Sequence, residues 1–230
     1  MTIKNIILNL ILPSSCAFCG KPGTMLCPKC KGNLNNDIFP MCIICENPSI
    51  DGITHKYCKR HNPLAPDRYL FDCHYNYISK KIIHKSKSQN YAYKYIETIL
   101  TKENIDILKA LNFNIIIPIP PSPTSNRLKD IVKYMSELIS KPLNIPIKDV
   151  LKTNGGKTQK KLNKENRTIN AYEKFYLPEK FKYLIKGQSI LLLDDVNTTG
   201  STLLIATKLL KTTGAKMVTC YTLCKDLRYN

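Results

Sequence analysis

Residues 189–202 read SILLLDDVNTTGST, and the order of residue types in that stretch decides the fold. Ser189 to Leu193 is a short apolar run, as expected of a strand buried on both faces, and it ends in two acids, Asp194 and Asp195. Thr198, Thr199, Gly200, Ser201 and Thr202 then make a small, hydroxyl-rich turn. Residues 203–213 repeat apolar positions at helical spacing and stop at Gly214. A helix N-terminus offers unsatisfied N–H groups and partial positive charge, and small side chains let a phosphate reach them. Carboxylates just upstream are placed to accept hydrogen bonds from the vicinal hydroxyls of a sugar. The expected ligand is therefore a sugar phosphate, with Asp194 and Asp195 orienting the sugar and residues 198–202 cradling the phosphate. No Gly-Lys-Ser/Thr follows the turn, which excludes a Walker A loop.

The run DDVNTTGST resembles the phosphoribosyl-pyrophosphate (PRPP) motif of type I phosphoribosyltransferases. That resemblance implies an α/β fold, a mostly parallel sheet flanked by helices, and Mg2+ accompanying PRPP.

With 230 residues, 43% of them apolar, the chain has room for one ordinary α/β domain and a small satellite. Thirty-five Lys and Arg against 17 acids give a net charge of +18, which suits an anionic partner such as single-stranded DNA or a phosphorylated substrate. Richness in Lys, Asn and Ile is also what an A/T-rich genome produces, so charge alone leaves both origins open. Residues 3–12 are too short for a membrane span and poor as a signal sequence; they read as a short amphipathic helix on a cytoplasmic protein.

Of the ten cysteines, eight fall within the first 73 residues, and six of those form C-x2-C pairs, a spacing that favours metal over disulfides. Cys16, Cys19, Cys27 and Cys30 make one four-ligand set. Cys42, Cys45, Cys58 and His61 make a second, with the imidazole replacing a thiolate. His55 is a rival for that last place, and an interleaved pairing of the four pairs remains open. Two structural zinc ions are expected, with iron an alternative at a four-thiolate site. The sequence NPLAP at 62–66 then marks a boundary between a zinc-ribbon domain (1–66) and the α/β domain (67–230).

Within the larger domain, 69–77 reads as a strand or hairpin, 78–100 as a helix, 114–119 as a buried strand, 127–139 as a helix and 216–223 as a closing strand. Residues 152–167 carry six basic residues, one acid and two adjacent glycines. They read as a basic loop that closes over a pyrophosphate or lies along a nucleic-acid backbone. Lys87, Arg127, Lys157, Lys160, Lys161 and Arg167 are the candidate pyrophosphate or DNA contacts.

Paired N-terminal cysteines, a strand ending Pro118-Ile119-Pro120, Thr158-Gln159-x2-Leu162, Arg167, Asn170, Phe175, the acid-pair motif and Tyr221-x2-Cys224 together resemble the ComF family over nearly the whole chain. The resemblance implies a zinc-ribbon domain fused to a PRPP-binding phosphoribosyltransferase-like domain. It also implies a role in natural transformation, in DNA uptake or utilisation, with single-stranded DNA and competence or DNA-processing proteins as partners. Where that family has Arg-Gly-Phe-Asn-Gln after the proline loop, this chain keeps only Arg127. The alternative is an active phosphoribosyltransferase that transfers ribose 5-phosphate to an unidentified base or amine.

Overall fold

The computed structural model describes residues 15–34, 40–88, 92–100, 102–122, 130–153 and 175–227. The expected helix over 3–12 lies outside them, as do Arg127, Lys157, Lys160, Lys161 and Arg167.

Two ribbons come first, each closed by a short helix: α1 (Pro28–Lys31) and α2 (Lys56–His61). The larger unit follows as β1 (Arg68–His74), α3 (Tyr77–Ser88), α4 (Lys102–Ala110), β2 (Ile115–Pro118), α5 (Ile131–Leu143), β3 (Lys152–Thr153), β4 (Phe175–Tyr176), β5 (Ser189–Asn197), α6 (Ser201–Thr212) and β6 (Met217–Lys225). Four strands form one sheet in the order β1-β6-β5-β2, every neighbouring pair parallel, while β3 and β4 form a small antiparallel pair.

β5 lies inside the sheet, and residues 190–193 are fully buried, which accounts for their unbroken apolar run. Its side chains alternate between two cores. Leu191 and Leu193 join Ile82, Ile116 and Ile139 on one face, and Ile190 and Leu192 join Ile117, Ala206 and Leu210 on the other. The two ribbons divide in the same way. Ala17, Leu26 and Leu34 of the first extend the core under α3–α5, and Met41 and Ile43 of the second extend the core under α6. The first ribbon is also tied down by Lys81 Nζ donating to Phe18 O at 2.7 Å and Tyr95 OH donating to Ser15 O at 2.7 Å. Asp67 clasps the second: its carboxylate meets Lys59 on α2 at 2.9 Å and Lys211 on α6 at 2.5 Å.

Three expectations change. The strand read at 189–193 runs on to Asn197, so the acids are in the strand. The single helix expected over 78–100 is α3 followed by a 3-10 turn, Ala92–Thr98. The helix expected from 127 begins at Ile131, because the Asp130 carboxylate caps it by accepting from the N–H groups of Val132 (3.0 Å) and Lys133 (3.2 Å).

Gly52, inside the second ribbon, packs against β1 with φ +70, and a Cβ there would stand 2.2 Å from Tyr69 O. Both the left-handed backbone and the backbone clash oppose a side chain, so Gly52→Ala is expected to cost about 2–4 kcal/mol in a denaturant titration.

Candidate functional site

In a parallel sheet the loops that build a site gather at the carboxyl ends of the strands. There β5 presents Asp194, whose Oδ1 accepts from the Asp195 N–H at 2.8 Å, and Asp195, which is largely buried. Lys87, near the end of α3, places its ammonium 2.6 Å from Asp195 Oδ2. Of the candidate phosphate or DNA contacts, Lys87 is the one among the described residues, and it stands directly on the acid pair.

Past β5 the chain turns through 198–200 into α6. Gly200 is the N-cap at φ 77, a left-handed conformation that glycine adopts without steric cost. Thr198, Thr199 and Ser201 are exposed, and the Thr199 and Ser201 hydroxyls meet at 2.8 Å. Exposed hydroxyls around the start of a three-turn helix, with a carboxylate pair behind them, are chemically suited to a phosphate attached to a polyol.

Sequence reading missed how this loop is held from below. Lys225, at the end of β6 and 1% exposed, donates to Thr198 O at 2.9 Å and to Glu46 Oε1 at 2.7 Å. Glu46 belongs to the second ribbon, and nothing local in the sequence links it to a lysine near the other end of the chain. Beside this contact a cavity of about 670 Å3 opens between the second ribbon and the sheet, lined by Met41, Glu46, Ile50, Phe71, His74 and Leu227 among others. Ser49 also lines it, and its buried Oγ has no hydrogen-bond partner among the described residues. Partial burial holds His74 below the usual histidine range, favouring the neutral imidazole.

Each ribbon gathers four metal-type ligands whose donor atoms lie within 4.8 Å of one another: Cys16, Cys19, Cys27 and Cys30 in the first, and Cys42, Cys45, His55 and Cys58 in the second. Thiolates about 2.3 Å from a tetrahedral ion stand about 3.8 Å apart, and Cys19 Sγ and Cys27 Sγ stand 3.7 Å apart. The thiols also conflict with one another in a way a cation resolves. Burial opposes ionisation of Cys16, yet backbone N–H groups of Cys19, Cys27 and Phe18 bring it down to about 6. Cys30 is pushed up to about 12 by burial and then by the neighbouring sulfurs. Cys58 is likewise pushed up to about 11, by burial and then by Cys45 and Cys42. A divalent ion removes that conflict by binding all of them as thiolates.

The fourth position of the second cluster is a correction. His55, and not His61, lies with the three cysteines, with Nδ1 3.3 Å from Cys45 Sγ. His61 instead turns its Nδ1 to Tyr57 O at 2.9 Å and packs on the Tyr57 ring. The reason is a structural repeat. Cys27 is the N-cap of α1 with Cys30 inside that helix, and His55 is the N-cap of α2 with Cys58 inside it. His55-x2-Cys58 is thus itself a paired spacing that repeats Cys27-x2-Cys30, a signal present in the sequence. The knuckles match as well: Gly20 N donates to Cys16 O at 3.0 Å and Glu46 N to Cys42 O at 2.9 Å, with both residues left-handed (φ 78 and 56). A non-glycine residue there costs about 1–2 kcal/mol.

The fold and site thus define a parallel α/β unit with a phosphate-type loop, carrying two metal ribbons. In comparison with known proteins, residues 132–229 match the phosphoribosyl transferase domain, and residues 7–61 match the double zinc ribbon domain. The chain therefore carries a phosphoribosyl transferase-like domain behind a double zinc ribbon, and its two ligand clusters support structural zinc. Among solved structures it is similar to the allosteric regulatory enzyme of purine biosynthesis, at 18% identity over 51% of this chain and 23% of that one, with a TM-score of 0.37. It is also similar to a purine phosphoribosyltransferase from Pyrococcus horikoshii (19% identity, 53% of this chain, 77% of that one, TM-score 0.35). A third is an adenine phosphoribosyl transferase from Trypanosoma brucei (13%, 69%, 83%, TM-score 0.34). Curated proteins give no match. Among the described residues no helix is long and apolar enough to cross a membrane.

Elemental analysis of the purified protein is expected to find about two zinc ions per chain. His55→Ala is expected to lose about one of them and His61→Ala neither; the reverse result would restore His61 as the ligand.

Proposed function

We propose that this chain is a ComF-type protein that binds PRPP, or a closely related sugar phosphate, at the end of β5 and handles single-stranded DNA during DNA uptake or utilisation. The observation that carries the proposal is the combination of Asp194 and Asp195 at the end of a buried parallel strand with a small, hydroxyl-rich turn leading into α6. In this reading the two carboxylates accept hydrogen bonds from the ribose hydroxyls, and the loop N–H groups and hydroxyls take the 5′-phosphate. Mg2+ accompanying the pyrophosphate would supply charge neutralisation. The ammonium of Lys87, already beside Asp195, is placed to meet an oxygen of the incoming ligand. Support for the DNA role comes from the net charge of +18, from the basic stretch with Lys157, Lys160, Lys161 and Arg167, and from the family resemblance.

A second reading, transfer of the ribose 5-phosphate to an acceptor, is favoured by one feature, the cavity of about 670 Å3 under the second ribbon. It lies toward β1 and β6, on the side of β5 opposite to β2, whose proline-rich exit would hold the departing pyrophosphate. Displacement at the anomeric carbon brings the acceptor in from that opposite side. His74, Ser49 and Glu46 are polar groups of its lining that would meet the acceptor there.

Titration calorimetry with Mg2+ and PRPP is expected to show saturable binding, weakened more than tenfold by Asp194→Asn together with Asp195→Asn; undiminished affinity in that variant would remove the site assignment. Incubation with PRPP and a panel of bases and amines separates the two readings. Pyrophosphate release that depends on an added acceptor supports transfer, and binding without release supports a ligand-binding role.

For the DNA partner, affinity for a single-stranded oligonucleotide is expected to fall linearly with salt on logarithmic axes, and to fall again when Lys157, Lys160 and Lys161 are neutralised. Salt-insensitive or absent binding would leave the positive charge as composition only.

A further inference from the structure

The second ribbon approaches the phosphate loop at two places. Ile43, between the ligands Cys42 and Cys45, lies beside Gly200, where a Cβ would stand 3.9 Å from its Cγ1, an ordinary van der Waals distance. Glu46, the residue after Cys45, holds the buried ammonium of Lys225, which in turn donates to Thr198 O.

The second contact controls an orientation. A trans peptide is planar, with its C=O and N–H pointing to opposite sides. With the Thr198 carbonyl turned onto the buried Lys225, the N–H of Thr199 is turned away from that lysine, in a turn whose Thr199 and Ser201 are exposed. Fixing that orientation fixes one of the donors that a phosphate at this turn would meet. Lys225 can stay buried there only while Glu46 offsets its charge, since a buried ammonium without a counterion is strongly disfavoured. Glu46 in turn is fixed by the knuckle: its N–H donates to Cys42 O, and Cys42 and Cys45 belong to one metal cluster. At the matching place the first ribbon has Gly20, which relieves the left-handed backbone but has no side chain to offer. The second ribbon accepts the less favourable residue and gains a carboxylate aimed at the sheet.

We propose that Glu46 and Lys225 are positioning residues for the phosphate loop, and that metal in the second ribbon thereby sets the affinity of that loop for a sugar phosphate. The proposal rests on the sugar-phosphate reading given above. It adds a coupling that runs from metal to knuckle, from Glu46 to Lys225, and from Lys225 to the Thr198–Thr199 peptide. Coupling of this kind is reciprocal, so a bound sugar phosphate must also retain the second metal more tightly. The first ribbon packs under the opposite face of the sheet and is outside this route.

The test uses the full-length, zinc-loaded protein with PRPP and Mg2+ as the probe. Glu46→Gln is expected to keep two zinc ions and to bind PRPP about tenfold more weakly. The double variant Glu46→Gln with Lys225→Met removes the buried charge altogether; its PRPP affinity is expected to stay low, because nothing then holds the Thr198 carbonyl. A third measurement needs no variant: zinc transfer from the wild-type protein to a chelating dye. Of the two ions, one is expected to leave several-fold more slowly when PRPP is bound.

Wild-type affinity in Glu46→Gln, recovery of affinity in the double variant, or zinc release indifferent to PRPP would each overturn the coupling while leaving the phosphate site standing. A wild-type protein that binds no PRPP at all would overturn the site itself, and the coupling with it.

Discussion

A buried carboxylate is costly unless partners satisfy it, and β5 is buried on both faces over residues 190–193, where it is wholly apolar. Its carboxylates come only after that run, at Asp194 and Asp195. The sheet order puts the exit of β2 on one side of those acids and the ends of β6 and β1 on the other. Everything of functional interest follows from that exit point: the glycine at φ 77, the exposed hydroxyls, the cation of Lys87, and the lysine that holds the loop from below.

The ribbons solve a problem of size. Neither holds enough apolar side chains for a core of its own, so metal replaces core inside each, and the few large side chains they have are lent to the sheet. Leu26 and Leu34 go to one face, Met41 and Ile43 to the other. The two units are therefore not beads on a string. Thr54 N donates to Asp67 O at 3.0 Å and Ile53 bridges Arg68, so the second ribbon runs into β1 without a free linker. The proline-containing stretch at 62–66 is a boundary in sequence, and across it Asp67 draws α2 and α6 together.

Local order in the sequence made the central features legible. Apolar run, acid pair, small-residue turn and helical periodicity sit in one ungapped stretch, and the first metal cluster is spelled out by two C-x2-C pairs. His55 was misread because Cys58-x2-His61 offers a competing pair at the same spacing. The repeat of a ligand at the helix N-cap and another inside the first turn separates them, and that repeat is visible only once α1 and α2 are compared. The start of α5 turned on Asp130, a capping residue that helical periodicity counts as just another polar position. Lys225 and Glu46 were out of reach for a different reason. They lie 179 residues apart, and no periodicity, spacing or composition joins a knuckle near one end of a chain to a strand near the other. Such a contact belongs to the tertiary fold alone.

The most direct measurement is an amide NMR titration of the isotopically labelled, zinc-loaded protein with ribose 5-phosphate, a ligand that carries the sugar and the phosphate without pyrophosphate or metal. If the end of β5 is a sugar-phosphate site, the largest shifts fall on the amides of Asp195 and of residues 198–202, with smaller ones at Glu46 and Lys225. Shifts confined to the basic surface, with the amides of 198–202 unmoved at saturation, would contradict it.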